Sequence, residues 1–231
     1  MSGPWSICRE IEAGLDPSGI LTRGRVDFAA GEGPILASGS YAASVVLLGN
    51  VGGSIWPAFS RWKQTYDGPD PLDTWSKEVI CPLAQTLGGT AYFPSDPPWQ
   101  PFQQWAMRAE GLKPSPLGIL IHPEYGLWHG YRGAIGFAEQ IGWDDMSEAV
   151  TDGRHACDDC RTKPCLTTCP ASAIRPDPAD FTVSACRSHL VTEEGQSRCM
   201  ISGCLARNAC PIGAAYRYPP DQLKFHMQAL K

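Results

Sequence analysis

The sequence predicts an α+β protein made of two domains, and three observations lead to this reading. Hydrophobic residues make up 43% of the 231 residues and charged residues 19%, a balance that allows a packed core. Most of the apolar periodicity, both helical and strand-like, falls in the first 150 residues. Eight of the ten cysteines come after them. We therefore expect one domain over residues 1–150 and a second over residues 151–231, with the boundary within 146–153.

The first domain should begin with a short helix over Ser6–Ala13, for which Ser6 is a suitable N-cap residue. The run Ala43–Leu48 is continuous, apolar and rich in β-branched residues, which predicts a buried strand. A glycine turn at 52–54 then separates this strand from a helix over Ile55–Trp62.

The strongest helical pattern spans Pro71–Leu87. Its large apolar residues recur at spacings of three and four, which places them on one face; they are Leu72, Trp75, Val79, Leu83 and Leu87. Pro82 should kink this helix, and the pair Gly88-Gly89 should end it.

Four further elements are expected in the first domain. A short strand covers Thr90–Phe93, and a helix covers Gln100–Glu110. Two more strands, Leu117–His122 and Gly130–Phe137, flank a turn at 123–128, and such an arrangement is typical of an antiparallel pair.

The eight late cysteines form two groups, and each group ends in a Cys-Pro pair. The first group reads C-x2-C-x4-C-x3-C-P and the second C-x12-C-x4-C-x5-C-P. The residues are Cys157, Cys160, Cys165, Cys169, Cys186, Cys199, Cys204 and Cys210. Eight thiolates are the ligand set of two [4Fe–4S] clusters, which carry electrons. The pattern therefore predicts an electron-transfer domain of loops and short helices held together by its clusters.

The ligands are expected to cross between the two groups. In two-cluster ferredoxins, the fourth cysteine of such a run binds the other cluster. Cluster I would then take Cys157, Cys160, Cys165 and Cys210, and cluster II would take Cys169, Cys186, Cys199 and Cys204. Under this pairing both crossover ligands, Cys169 and Cys210, precede proline. Cys8 and Cys81 lie outside both groups, and we assign them no role.

Two other uses of eight cysteines compete with this reading. Two zinc sites of four cysteines each would need the same number, although only Cys157 and Cys160 have the CxxC spacing that zinc sites favour. Disulfides are the third reading. The chain starts without the apolar segment of a signal peptide and has no apolar run near the roughly 18 residues of a membrane span. We therefore expect a cytoplasmic protein, in which metal binding is favoured over disulfides.

Charge narrows the expected partners. The net charge is −5 and the isoelectric point about 5.5, so bulk charge attracts neither nucleic acid nor an anionic membrane surface. The expected partner is an electron-donor protein or a small reductant. Basic residues near the cysteines would either dock an acidic donor or form a solvated face; they are Arg154, Arg161, Lys163, Arg187 and Arg198. His155 and His189 would either donate to cluster sulfur or face solvent.

The cysteine-rich region resembles a known electron-transfer domain. The segments CDDCRTKPCLTTCPASAI (157–174) and CRSHLVTEEGQSRCMISGC (186–204) resemble the ferredoxin-like domain of epoxyqueuosine reductases and reductive dehalogenases. That resemblance implies a ferredoxin-like fold with two clusters. It also implies a corrinoid next to the nearer cluster, whose cobalt would receive the electrons.

The first domain carries a second resemblance. The segment ILIHPEYGLWHGYRGAIGF (119–137) is similar to the CblC cobalamin-processing family in a pattern that falls on His122, Pro123, Gly126, Trp128, Arg132 and Gly133. The resemblance, over about residues 40–140, implies a flavin-nitroreductase-like α+β fold that binds cobalamin and removes its upper ligand by reduction. Arg132 resembles an arginine that this family uses near its bound thiol cosubstrate, and we expect His122, Trp128 and Arg132 to line the corrinoid site.

Each of these three residues also has a simpler interpretation. His122 would be a histidine at a strand end that is satisfied by backbone groups, and Trp128 a packed turn residue. Arg132 lies in an apolar strand and needs a partner, since an unpaired buried guanidinium is costly.

Together the two resemblances predict an oxidoreductase of the cobalamin reductase or decyanase type. In this reading two [4Fe–4S] clusters reduce the cobalt of a bound corrinoid. Two alternatives stay open: a non-catalytic ferredoxin-type electron carrier, and a reductase of another substrate such as a modified nucleoside.

Overall fold

A computed structural model describes residues 4–142 and 154–230, which form a mixed α+β structure as predicted. The chain divides into two compact units. Unit 1 comprises residues 1–111 and 130–150, and unit 2 comprises residues 112–129 and 151–231. The expected boundary at 146–153 lies outside the described residues. Residues 112–129 therefore group with the cysteine-rich part of the chain rather than with residues 1–111.

Unit 1 contains four helices and a four-stranded sheet among its described residues. They are α1 (Pro4–Leu15), β1 (Leu21–Asp27), β2 (Ser44–Val51), α2 (Trp56–Lys63), α3 (Pro71–Thr86), β3 (Thr90–Tyr92) and α4 (Phe102–Glu110). Unit 2 contains β4 (Lys113–Pro114), β5 (Leu120–Ile121), α5 (Cys165–Thr168), α6 (Val183–Leu190), α7 (Glu193–Ser197), α8 (Cys199–Ser202), α9 (Leu205–Asn208) and α10 (Pro220–Gln228). Strand β6 (His129–Phe137) begins in unit 2 and continues into unit 1.

The sheet of unit 1 has the order β1-β2-β6-β3. Strands β1 and β2 pair antiparallel, as do β3 and β6. Seven of the eight residues of β2 are buried, which confirms the buried strand expected from its unbroken apolar run. Both of its edges are paired, so β2 lies inside the sheet, and its unbroken burial shows that both of its faces are covered, as a run without alternation requires.

Helix α3 forms where it was predicted, but of the predicted apolar face only Trp75 is buried. The buried residues are Trp75, Ser76, Ile80 and Ala84, whereas Val79 and Leu83 are only half-buried. The helix has neighbours on two sides: the methyl end of Ile80 approaches Gly133 of the sheet, and Leu83 lies against Gly14 of α1. Small residues such as Ser76 and Ala84 allow that close approach. The predicted face contained only large apolar residues and therefore did not include them.

The predicted antiparallel pair around 123–128 is also wrong. Strand β5 pairs with β4, whereas β6 joins the sheet of unit 1. The turn between them is held by side chains of unit 2, since Ile121 and Leu127 pack in one core with Ile174. This packing separates the two strands and draws residues 112–129 into unit 2.

Unit 2 consists mainly of loops and helices of four to nine residues, as expected for a domain with a small apolar core. The helix predicted at Ser6–Ala13 forms as α1, but it begins at Pro4, so Ser6 lies inside it rather than at its N-cap. None of the helices within residues 4–142 and 154–230 combines the length and the apolar character that a membrane span requires.

A buried ion pair and its hydrogen bonds connect four elements of unit 1. Nη2 of Arg23 lies 2.7 Å from Oε2 of Glu110, and the two side chains are 3% and 9% exposed. The Tyr131 hydroxyl donates to the other oxygen of Glu110 at 2.5 Å, and Nη1 of Arg23 donates to the Asn50 carbonyl at 3.1 Å. Burial raises the pKa of Glu110, against the opposing effects of Arg23 and Tyr131. The buried charge of Arg23 and that of Glu110 therefore stabilise each other.

Removing the charge of Glu110 should destabilise unit 1. We expect Glu110→Gln to lower the free energy of unfolding by about 3–5 kcal/mol, because it leaves the buried Arg23 without its counter-ion. Asp96→Asn is the matched control, since it opens the half-exposed pair between Lys77 and Asp96 and should change stability by about 1 kcal/mol or less. Urea unfolding of both variants checks this, and equal losses would contradict it.

Candidate metal centres in unit 2

The structure keeps all ten cysteines as free thiols, and eight of them gather in unit 2 in two sets. In the first set, burial and then three neighbouring thiols, Cys210, Cys165 and Cys160, together raise the pKa of Cys157 to about 11. Burial also raises the pKa of Cys165, with contributions from Cys210 and Cys160. We name these four residues set I.

The remaining four cysteines behave in the same way. Burial raises the pKa of Cys186, and the neighbouring thiols raise it further: Cys204, Cys169 and Cys199. Burial raises the pKa of Cys199 and of Cys204, and Cys169 adds to both. We name Cys169, Cys186, Cys199 and Cys204 set II. The division into sets I and II coincides with the crossover pairing expected from the sequence, in which Cys169 and Cys210 exchange groups.

Apolar packing positions each set. For set I, Cys210 belongs to a buried core with Leu117 and Ile174, and Cys157 and Cys165 pack against that core. Helices α5 and α9 lie together there. For set II, Cys199 is buried with Leu190, Met200 and Met227, and Cys186 and Cys204 pack against them. Each set therefore has one buried cysteine, Cys210 or Cys199, and three partly buried ones, and a thiolate in such apolar surroundings needs compensation.

Backbone N–H groups supply part of that compensation. Cys204 immediately precedes α9, and the N–H groups of Arg207 and Ala206 lower its pKa against the larger effect of burial. The Ile212 N–H group acts on Cys210 in the same sense, and that of Leu205 acts on Cys199. Such donors stabilise a thiolate and, at an iron–sulfur cluster, raise the reduction potential.

Basic side chains contribute as well. Lys163 lowers the pKa of Cys157, Arg187 that of Cys186 and Arg198 that of Cys199, in each case against burial. These three cations were singled out from the sequence. Arg207, which acts on Cys204, was missed, although its place one helical turn after a ligand cysteine is a usable signal.

The spacing of the donors tests which metal centre fits. Within residues 4–142 and 154–230, which include all eight cysteines of the two sets, no three His, Cys, Asp or Glu side chains converge on one ion. Tetrahedral zinc, with Zn–S bonds of about 2.3 Å, would draw four sulfurs to within about 4 Å of each other. A cubane binds each thiolate to a different iron and so needs a wider set. Sulfur–sulfur distances of about 4 Å within a set would therefore indicate zinc, and wider distances a cubane.

His155 positions the loop of Cys157. Its Nδ1 accepts the N–H of Cys157 at 3.0 Å, and its Nε2 lies 2.9 Å from the Pro114 carbonyl of β4. Both ring nitrogens are therefore used by backbone groups of unit 2. His189 differs, since its Nε2 is buried and makes no hydrogen bond within the described part of the chain.

The structure does not bring the three residues of the predicted corrinoid site together in one unit. His122 and Trp128 belong to unit 2 and Arg132 to unit 1. Nδ1 of His122 accepts the N–H groups of Glu124 and Tyr125 at 3.0 and 3.1 Å, which matches the backbone-satisfied interpretation.

Trp128 and Arg132 also have partners inside their own units. Trp128 is fully buried, with the Arg207 guanidinium 4.5 Å from its ring centre and Tyr218 edge-on at 5.4 Å. Its environment matches the packed interpretation rather than an open stacking surface. Nη1 of Arg132 lies 3.9 Å from Oδ1 of Asp73, so its charge has a carboxylate nearby.

The turn at 123–128 packs tightly on the segment that follows Cys210. A Cβ atom on Gly126 would lie 1.9 Å from the Ile212 carbonyl oxygen, and one on Gly213 would lie 2.2 Å from the Tyr125 backbone. Both glycines have positive φ angles, which favour glycine on their own. The glycine of the His-Pro-x-x-Gly pattern is therefore explained by backbone packing beside set I.

Comparison with known proteins places the chain in no family. No protein-family model matches the sequence, and no curated protein matches it.

Replacing Gly126 should disturb set I selectively. Gly126→Ala forces a clash with the Ile212 carbonyl, so we expect the segment carrying Cys210 to shift and metal to be lost from set I. Gly118→Ala is the matched control, because Gly118 has a similar positive φ but open space around its Cβ position. Iron analysis after anaerobic reconstitution should give about four irons per chain for the first variant and about eight for the second. Equal iron contents would contradict this account of the glycine.

Proposed function

We propose that unit 2 binds two [4Fe–4S] clusters, one on set I and one on set II, and that the chain is an electron-transfer protein. The observation that carries the proposal is the division of eight free thiols into two sets of four, each in an apolar environment. Bound clusters would supply one-electron chemistry.

The residues of the chain have three tasks in this proposal. The thiolates hold the metal, and raised thiol pKa values mean that iron must displace protons on binding. The N–H groups of Ala206, Arg207 and Ile212 stabilise the sulfurs. The cores around Ile174 and Met200 limit the access of water. Charge compensation and exclusion of water are the protein's means of setting a cluster potential.

As the acceptor of these electrons we propose a corrinoid, which would make the chain an oxidoreductase of the cobalamin reductase type. This part of the proposal is supported by the two sequence resemblances, which point to corrinoid chemistry independently. The environments of His122 and Trp128 are occupied by groups of unit 2, so a corrinoid would need contacts other than these two. The second candidate, a ferredoxin-type carrier without a corrinoid, is favoured by the full burial of Trp128.

The pairing of ligands can be tested with cysteine variants. The double variant Cys157→Ala/Cys160→Ala should lose set I and retain about four irons per chain. In that background Cys210→Ala should cause no further loss, whereas Cys169→Ala should remove the remaining iron. Cys8→Ser is the control and should retain about eight irons, since Cys8 lies in unit 1. The opposite result for Cys210 and Cys169 would show sequential rather than crossover pairing.

The acceptor can be tested with the purified, cluster-loaded protein. Adding cobalamin under anaerobic conditions should shift the corrin absorbance bands, and dithionite should then yield the spectrum of reduced cobalt faster than it does without the protein. Apo-protein serves as the control for direct reduction. If the bands do not shift while about eight irons are present, the carrier function stands and the corrinoid is excluded as the acceptor.

A further inference from the structure

Arg207 is held rigidly between two aromatic rings of unit 2. Its guanidinium carbon lies 4.5 Å from the ring centre of Trp128 and 4.7 Å from that of Tyr218. Its Nε donates to the Leu127 carbonyl at 3.2 Å, and Nη2 donates to the same oxygen. Cation–π contacts and a forked hydrogen bond leave the guanidinium little freedom. The positive charge is therefore fixed in space.

That charge lies beside set II, where no salt bridge to it is formed by the described residues. Arg207 follows Cys204 by three residues in α9 and acts electrostatically on its thiolate. No carboxylate pairs with Arg207 within residues 4–142 and 154–230. Two other arginines act on ligands of set II, and both differ in their surroundings: Arg187 is exposed, and Nη1 of Arg198 is 2.6 Å from Oε1 of Glu194.

Set I has a different charge environment. Two exposed carboxylates, Asp158 and Asp159, lie between its ligands Cys157 and Cys160. The cation that acts on this set, Lys163, is exposed, as is Arg161. Exposed charges are screened by salt, whereas a half-buried, immobile charge is screened much less. The two sets thus differ in their uncompensated positive charge.

We propose that Arg207 is a positioning residue that makes the cluster on set II the more easily reduced of the two. Reduction adds one negative charge to a cluster, and a fixed cation in a poorly solvated site stabilises that charge. Electrons that enter at set I therefore pass to set II, and the cluster on set II then donates them to the acceptor. This inference rests on the proposed function, since it requires both clusters to be present.

Redox titration followed by EPR spectroscopy tests the inference. In Arg207→Gln the higher midpoint potential should fall by about 59 mV or more, a tenfold or greater change in the reduction equilibrium constant, while the lower midpoint stays unchanged. Arg175→Gln is the charge-matched control, because Arg175 is an exposed arginine of unit 2, and it should move neither midpoint. The variant Cys157→Ala/Cys160→Ala retains set II alone, and its single midpoint should match the higher of the two.

Further variants separate a role of the charge from a role in folding. Arg207→Lys keeps the charge and should lower the potential by less than Arg207→Gln does, whereas a purely structural role predicts similar losses. Tyr218→Leu keeps Arg207 but removes one ring, so it should lower the higher midpoint to an intermediate degree. If Arg207→Gln loses its iron, the higher midpoint potential of Tyr218→Leu tests the role of Arg207 instead.

The outcomes distinguish this inference from the proposed function. Unchanged midpoints in Arg207→Gln and Tyr218→Leu, with about eight irons per chain, would overturn the role of Arg207 and leave the clusters in place. A set II midpoint that proves to be the lower one has the same effect. Wild-type protein that binds no iron overturns the proposed function itself.

Discussion

Mutual repulsion among closely placed thiolates is the constraint on which unit 2 depends. Each set holds four cysteines in apolar surroundings, and burial together with the neighbouring thiols raises the pKa values of Cys157 and Cys186. Such a set is stable as neutral thiols or as thiolates bound to a cationic metal centre, but not as four free thiolates. Backbone N–H groups and arginines reduce the repulsion without removing it. The same constraint explains why metal binding and folding should be coupled in this unit.

Residues 112–129 belong to unit 2 and help to hold the cysteines of set I in place. Ile121 and Leu127 complete the core beside Cys210, and Gly126 allows the backbone of Ile212 to approach closely. His155 ties the loop of Cys157 to β4 through Pro114. A segment that separates two strands in the sequence therefore shapes the surroundings of set I. Its sequence pattern, which suggested a ligand pocket, also satisfies the demands of packing.

Local patterns predicted the elements of the chain better than they predicted its pairings. Strand β2 follows from an unbroken apolar run, and the extent of α3 follows from apolar periodicity and the glycine pair after it, signals that act over a few residues. The partner of β5 depends on contacts with Ile174, which lies more than fifty positions away, and no local pattern encodes it. The eight cysteines were recognisable by their chemistry. The placement of Arg207 between two aromatic rings was not recognisable from the sequence, because Trp128 and Tyr218 meet only in the folded chain.

The Mössbauer spectrum of protein reconstituted anaerobically with ⁵⁷Fe tests the central claim most directly, since it reports the kind of iron centre as well as its amount. The account predicts that all bound iron, about eight atoms per chain, appears as the diamagnetic, delocalised-valence signal of [4Fe–4S] clusters. A spectrum dominated by single high-spin ferrous ions bound to four thiolates, or a protein that retains zinc instead of iron, would contradict it.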